Sequence, residues 1–101
     1  MEENKFYIHS SEVISFINDC TMRGEAIIGF EGFKKIDKKF VPDLGLIGDF
    51  SSLVNKYNDW VIFLKECNKT AKKILGNLEE KNNLFYDFAL MSEIEWSKRN
   101  R

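Results

Sequence analysis

The chain has 101 residues, 44% of them hydrophobic and 14% aromatic, with 15 basic and 16 acidic side chains and a formal charge of −1. That length predicts a single domain over 1–101 with a core rich in aromatic rings, and the near-balance of charge argues against general nucleic-acid binding, which draws on a basic surplus. The charged start Met1-Glu2-Glu3-Asn4-Lys5 runs into no long apolar segment, so it reads as neither export signal nor membrane anchor, and a cytoplasmic location is expected.

Residues 5–9 read as a short strand or an extended arm, and Ser10 or Ser11 offers a helix cap. Val13, Ile14, Ile17 and Cys20 form an apolar face that predicts a helix over 11–23, stopped by Gly24, with Phe16 widening the face. The run 26–33 reads as a strand in which Gly29 and Gly32 mark a bulge or a close approach. A charged turn centred on Asp37-Lys38 and a short return at Phe40-Val41 complete a hairpin over 26–41, with Pro42 at a strand end or edge. Residues 42–53 are expected to form a folded loop with a strand or one helical turn in it, because Gly45 and Gly48 interrupt Leu44, Leu46, Ile47, Phe50 and Leu53, which all need cover.

The longest signal follows. Trp60, Phe63, Leu64, Cys67, Ala71, Ile74, Leu75 and Leu78 trace one stripe of a helix capped by Asn58 or Asp59 and continuing weakly to 79. A polar connection over 79–83 leads to 84–96, where apolar and polar positions alternate. Leu84, Tyr86, Phe88, Leu90, Ile94 and Trp96 point one way; Phe85, Asp87, Ala89, Met91, Glu93 and Glu95 point the other. This predicts a long half-buried strand that floors the helical stripe, with a frayed tail at 97–101. The expected class is α+β, a small mostly antiparallel sheet with two helices on one face in the order α-β-β-α-β.

No motif states a chemistry. Cys20 and Cys67 lie on apolar helix faces and read as small buried hydrophobes, and the single His9 completes no zinc set. His9 beside Ser10 and Ser11 lacks a nucleophile elbow, and it reads as a surface or capping residue. The run Gly29-Phe30-Glu31-Gly32-Phe33 lacks the spacing of a phosphate loop, and no helix follows it. Asp37, Asp43 and Asp49 lack the spacing of a calcium loop. Lys65, Lys69, Lys72 and Lys73 share the polar side of the main helix and read as a solvated face diluted by Glu66, Glu79 and Glu80. No catalytic residue, cofactor or metal is therefore expected.

The outward set of the last strand is the strongest functional signal. Asp87, Glu93 and Glu95 around Phe85, Ala89 and Met91 make a docking surface for a basic partner, with charge steering the encounter and an apolar centre holding it. Glu31, Asp43 and Asp49 extend that surface from the neighbouring elements.

Ile27-Ile28-Gly29-Phe30-Glu31-Gly32-Phe33, then Val41-Pro42-Asp43-Leu44 and Asp49-Phe50, precede an aromatic-led helix and a final strand. In this, and in size, acidity and a composition rich in Asn, Lys, Ile and Phe, the chain resembles the small cytoplasmic immunity proteins that bacteria encode beside toxin domains. The resemblance implies a single-domain inhibitor that binds one toxin and blocks its active site or its target contact. The near-neutral total charge departs from the strongly acidic members, which leaves a nuclease toxin in doubt. The expectation is thus a non-enzymatic protein-binding inhibitor whose partner is a cognate toxin domain, with no direct contact to nucleic acid or membrane. In it Asp87, Glu93 and Glu95 pair with basic groups, and Phe85 and Met91 anchor. A homodimeric structural or regulatory domain is the alternative, and a small enzyme or ligand carrier comes third.

Overall fold

A computed structural model describes residues 7–76 and 84–99, with the side chain of Leu44 outside that description. The elements are β1 (Ile8–His9), a 3-10 turn (Ser10–Glu12), α1 (Val13–Arg23), β2 (Ala26–Ile36), β3 (Lys39–Asp49), a 3-10 turn (Ser51–Asn55), α2 (Trp60–Gly76), β4 (Leu84–Met91) and α3 (Glu93–Arg99). The strands form one antiparallel sheet of four in the order β1-β4-β2-β3. Helices α1 and α2 cover one face, where Val13, Ile17, Ala71 and Leu75 pack with Ile27, Phe30, Leu84 and Tyr86. The α+β class and the one-sided packing are those the sequence predicts; β1 and α3 add to the expected order.

Helix α1 buries Val13, Ile17 and Cys20, and Phe16 stacks on Phe88 at 4.8 Å between ring centres. Gly24 ends it at φ 75°, a left-handed geometry that glycine adopts without a Cβ penalty, and the Glu25 N–H closes onto the Cys20 carbonyl at 2.8 Å. Helix α2 starts where Asp59 Oδ1 accepts from the N–H groups of Val61 (2.8 Å) and Ile62 (3.2 Å). It buries the predicted stripe from Trp60 to Leu75 apart from Ile74, which stays partly exposed, and adds Asn68. The expected roles of Leu78, of the connection 79–83, of residues 5 and 6 and of the last two residues of the tail lie outside the described residues.

Two expectations fail for identifiable reasons. Residues 42–49 are strand throughout rather than a folded loop that contains one, and a 3-10 turn follows at Ser51–Asn55. They continue β3 along β2, and the register steps from Gly32 opposite Asp43 to Glu31 opposite Ile47, so residues 44–46 bulge out of the ladder. Of the glycines that suggested a loop, Gly48 serves close approach instead, as does Gly32, which the sequence marks for a bulge or a close approach. A Cβ on Gly32 would lie 2.5 Å from Leu46 Cβ, and one on Gly48 would meet the Phe30 ring. The hairpin turn itself is where the sequence puts it, with Asp37 (φ 49°) and Lys38 (φ 70°) both left-handed, as a two-residue turn matching strand twist requires.

The second failure is the long final strand. It stops at Met91, and 93–99 is helical rather than extended. Ser92 Oγ accepts from the Glu95 N–H (3.2 Å), and Glu95 Oε1 accepts from the Ser92 N–H (2.8 Å). This reciprocal capping box starts α3, and its Ser-x-x-Glu spacing overrides the two-residue alternation. Trp96 is buried as expected, but from a helix. Its ring packs with Trp60 and Phe63, and its Nε1 donates to the Val54 carbonyl at 3.1 Å.

Candidate protein-docking site

Directly paired residues of neighbouring strands share a face of the sheet. Phe30 opposite Phe88 and Gly32 opposite Tyr86 lie on the face under α1 and α2. The alternate positions therefore look away from those helices. Across β4, β2 and β3 they form three rows: Phe85-Phe33-Pro42, Asp87-Glu31-Ile47 and Ala89-Gly29-Asp49. The structure thus brings together four of the expected partner-binding residues, Phe85, Asp87, Glu31 and Asp49.

At one end of this outer face is a layer of rings. Tyr7 stacks on Phe40 at 4.1 Å and meets Phe33 edge-on at 5.0 Å, while His9 and Phe40 meet Phe85 edge-on at 5.0 and 5.2 Å. Phe33 is only 6% exposed, so this layer behaves as a small second core. Phe85 is half-buried within it and supports the surface more than it projects from it. The Lys35 Nζ lies 5.6 Å from the Phe40 ring centre, within cation–π range. His9 has a local duty as well, its Nδ1 accepting from the Ser11 N–H at 3.1 Å at the start of the first 3-10 turn.

The middle row is the chemically distinctive part. Glu31 and Asp87 are opposite each other, both half-buried, and Ile47 beside Glu31 is 52% exposed. Like charges directly opposite are unfavourable in a sheet, so a cation placed beside Glu31 gains from both carboxylates. Asp87 also has an interaction within the chain. In the next row Asp49 Oδ1 accepts from the Ser51 N–H at 2.9 Å, and hydrogen bonding to Ser51 holds this exposed carboxyl below its usual range.

The other expected residues are placed differently. Met91 is 5% exposed, packed with Trp60, Phe63, Leu64, Cys67 and Trp96, so it is core and no anchor. Alternation alone groups it with Asp87 and Ala89, but at that end the chain turns into α3 and Trp96 joins the same cluster. Glu93 and Glu95 leave the sheet with α3, and Glu95 is occupied as a cap, its carboxyl held below its usual range by hydrogen bonds from Ser92. Asp43 lies opposite Gly32 and thus on the helix-covered face at the β3 edge, 3.7 Å from Lys34 Nζ and accepting from the Gly45 N–H. Ile47 is the residue the sequence missed. Counting back from the turn pairs Glu31 with residue 44, and only the bulge puts Ile47 there.

Both cysteines are buried and free, and burial pushes the Cys20 thiol up to about 11 and the Cys67 thiol to about 12. Among the described residues no group of three or more His, Cys, Asp or Glu is placed to hold a metal ion, and no helix is long and apolar enough to cross a membrane. Comparison of the chain with protein families, curated proteins and solved structures finds no match.

Proposed function

We propose that this chain is a non-enzymatic binding protein that neutralises a cognate toxin domain in the cytoplasm by docking it on the outer face of the sheet. The observation that supports the reading is the row Asp87-Glu31-Ile47: adjacent carboxylates with an exposed aliphatic side chain beside them, on a face that α1 and α2 leave open. A basic side chain of the partner pairs with Glu31, Ile47 provides the apolar contact, and the ring layer beneath keeps the platform stiff. The resemblance in size and element order to immunity proteins supplies the kind of partner.

The test begins with the reading frame next to this one, which should encode a toxin-like domain; that domain is then the partner to assay. Glu31→Lys and Ile47→Asp should each weaken the complex by at least about tenfold, since a charge reversal or a buried charge at an interface costs ~1.4 kcal/mol or more. Their melting temperatures should stay near that of the parent. Unchanged affinity in both variants removes the outer face as the docking site. The alternative, a homodimer through the β3 edge, has less support, because Pro42 and the bulge at 44–46 interrupt that edge in the manner that blocks edge-to-edge pairing. Sedimentation at high protein concentration distinguishes the two.

A further inference from the structure

The two helices create a surface that neither shows alone. Thr21 of α1 meets Asn68 of α2, and Ile14 Cδ1 lies 3.7 Å from where a Cβ on Gly76 would sit, so the helices run antiparallel. Between them, on the side away from the outer sheet face, is an open groove of about 550 Å³. One wall is Asn18, Thr21 and Met22, the other is Lys65, Lys69 and Lys72, and the floor is Ile17 and Asn68.

The walls differ in chemistry. Lys65, Lys69 and Lys72 follow at steps of four and three along α2, which sets them on one side over roughly 10 Å. None of them is in an ion pair among the described residues, where the pairs are Arg23–Glu25 and Lys34–Asp43. Facing them, Met22 is 85% exposed, the most exposed large apolar side chain of the described core elements. An unbranched thioether at a groove rim adapts to many apolar surfaces. The floor offers no vacant polar group, since the Asn68 side chain is fully used by Ile27, Thr21 and Glu25.

We propose that this groove docks an acidic amphipathic helix of a protein partner, its carboxylates along the lysine wall and its apolar edge against Met22. Charge complementarity sets the sign of the occupant, and the exposed thioether at the rim sets its class. A nucleic-acid backbone would satisfy the lysines but leave Met22 without a partner, and no ring lines the groove for a base to stack on. The length of the lysine row matches about two helical turns of such a segment. This site is separate from Glu31 and Ile47, so either surface can fail without the other.

The probe is a synthetic helical peptide of roughly 15 residues, long enough to hold helix in water, with Glu on one side and Leu on the other. A counterpart with Lys in place of Glu and a single-stranded oligonucleotide serve as controls. Titration into the labelled protein, followed by amide NMR shifts, should move Asn18, Thr21, Met22 and Lys69 and leave Glu31 and Ile47 in place. Affinity should fall with salt. It should drop at least about tenfold in the Lys65→Glu/Lys69→Glu/Lys72→Glu variant and severalfold in Met22→Asp, both at exposed positions that leave the core intact. Equal binding of the Lys peptide, tighter binding of the oligonucleotide, shifts centred on the outer sheet face, or no binding of the acidic peptide at millimolar concentration would each overturn the proposal.

Discussion

Replacing Asn68 by alanine should be among the most damaging single changes in this protein. Asn68 is 3% exposed on α2 and joins three elements. Its Oδ1 accepts from the Ile27 N–H at 2.8 Å, and its Nδ2 donates to Thr21 Oγ1 at 2.8 Å and to the Glu25 carbonyl at 3.0 Å. One acceptor facing an N–H and one donor group facing two oxygens also fixes the orientation of the amide. In Asn68→Ala the Thr21 hydroxyl keeps its bond to the Ile17 carbonyl, but the Ile27 amide and the Glu25 carbonyl lose this partner. Each stranded buried group costs ~1–3 kcal/mol, so the loss should be about 2–5 kcal/mol, out of the ~5–15 kcal/mol typical of a domain. At about 4–8 °C per kcal/mol the melting temperature should drop by ten degrees or more.

Urea unfolding followed by the fluorescence of Trp60 and Trp96 measures this directly. Asn68→Asp sharpens the test. Its carboxylate keeps the acceptor for Ile27 but turns an oxygen toward the Glu25 carbonyl, and burial raises its pKa above the unfolded value of ~3.9. A raised folded pKa means stability is greatest below the unfolded pKa and is lost as pH rises through the folded one. Asn68→Asp should therefore approach the parent near pH ~4 and fall away toward neutrality. A loss below ~1 kcal/mol for Asn68→Ala with an unchanged urea slope, or an Asn68→Asp variant without that pH trend, would refute the assignment of Asn68 as the tie between α1, β2 and α2.

Four further outcomes rest on the hydrogen bonds of α3 and on the burial of the thiols. Ser92→Ala removes the hydroxyl that accepts from the Glu95 N–H and should destabilise the α3 docking by about 0.5–2 kcal/mol, read from Trp96 emission. Because the Glu95 carboxyl is held below its usual range, its contribution is complete above the ordinary carboxylate pKa and is lost as pH falls through the lowered one; Glu95→Gln should therefore unfold with a weaker acid dependence than the parent, and an identical dependence would remove the cap. The two thiols should be silent to Ellman's reagent in the native state at mildly alkaline pH and react on unfolding. Since burial raises both thiol pKa values, the unfolded thiols ionise first, and stability should decline as pH rises above ~8.5 toward the folded values near 11 and 12. Fast titration of either thiol in the native protein would contradict their burial.

The sequence by itself determined the elements whose signals are local. The stripe from Trp60 to Leu75, the Asp59 cap, the Gly24 stop and the place of the charged turn at Asp37-Lys38 all follow from side-chain periodicity or local composition within a few residues. The alternation of Leu84 to Leu90 likewise set which side of β4 faces α2, and so left Glu31 and Asp87 on the other. The end of β4 was legible too, in the Ser-x-x-Glu spacing of Ser92 and Glu95, but the alternation on both sides of it read more strongly.

Tertiary structure alone decided the rest. Gly48 looks like a loop residue until Phe30 is seen against it, and Gly32, which the sequence marks for a bulge or a close approach, meets Leu46. The bulge they permit is what moves Ile47 beside Glu31, and no spacing along the chain specifies how many residues a bulge takes up. Met91 has the pattern of an outward anchor and is core because Trp96 returns over it. Asn68 breaks an apolar stripe on paper, yet it is buried because the Ile27 amide and the Glu25 carbonyl, both over forty residues away in the chain, need its two ends. Long-range pairing of this kind depends on where the sheet brings the helices, which local preference does not encode.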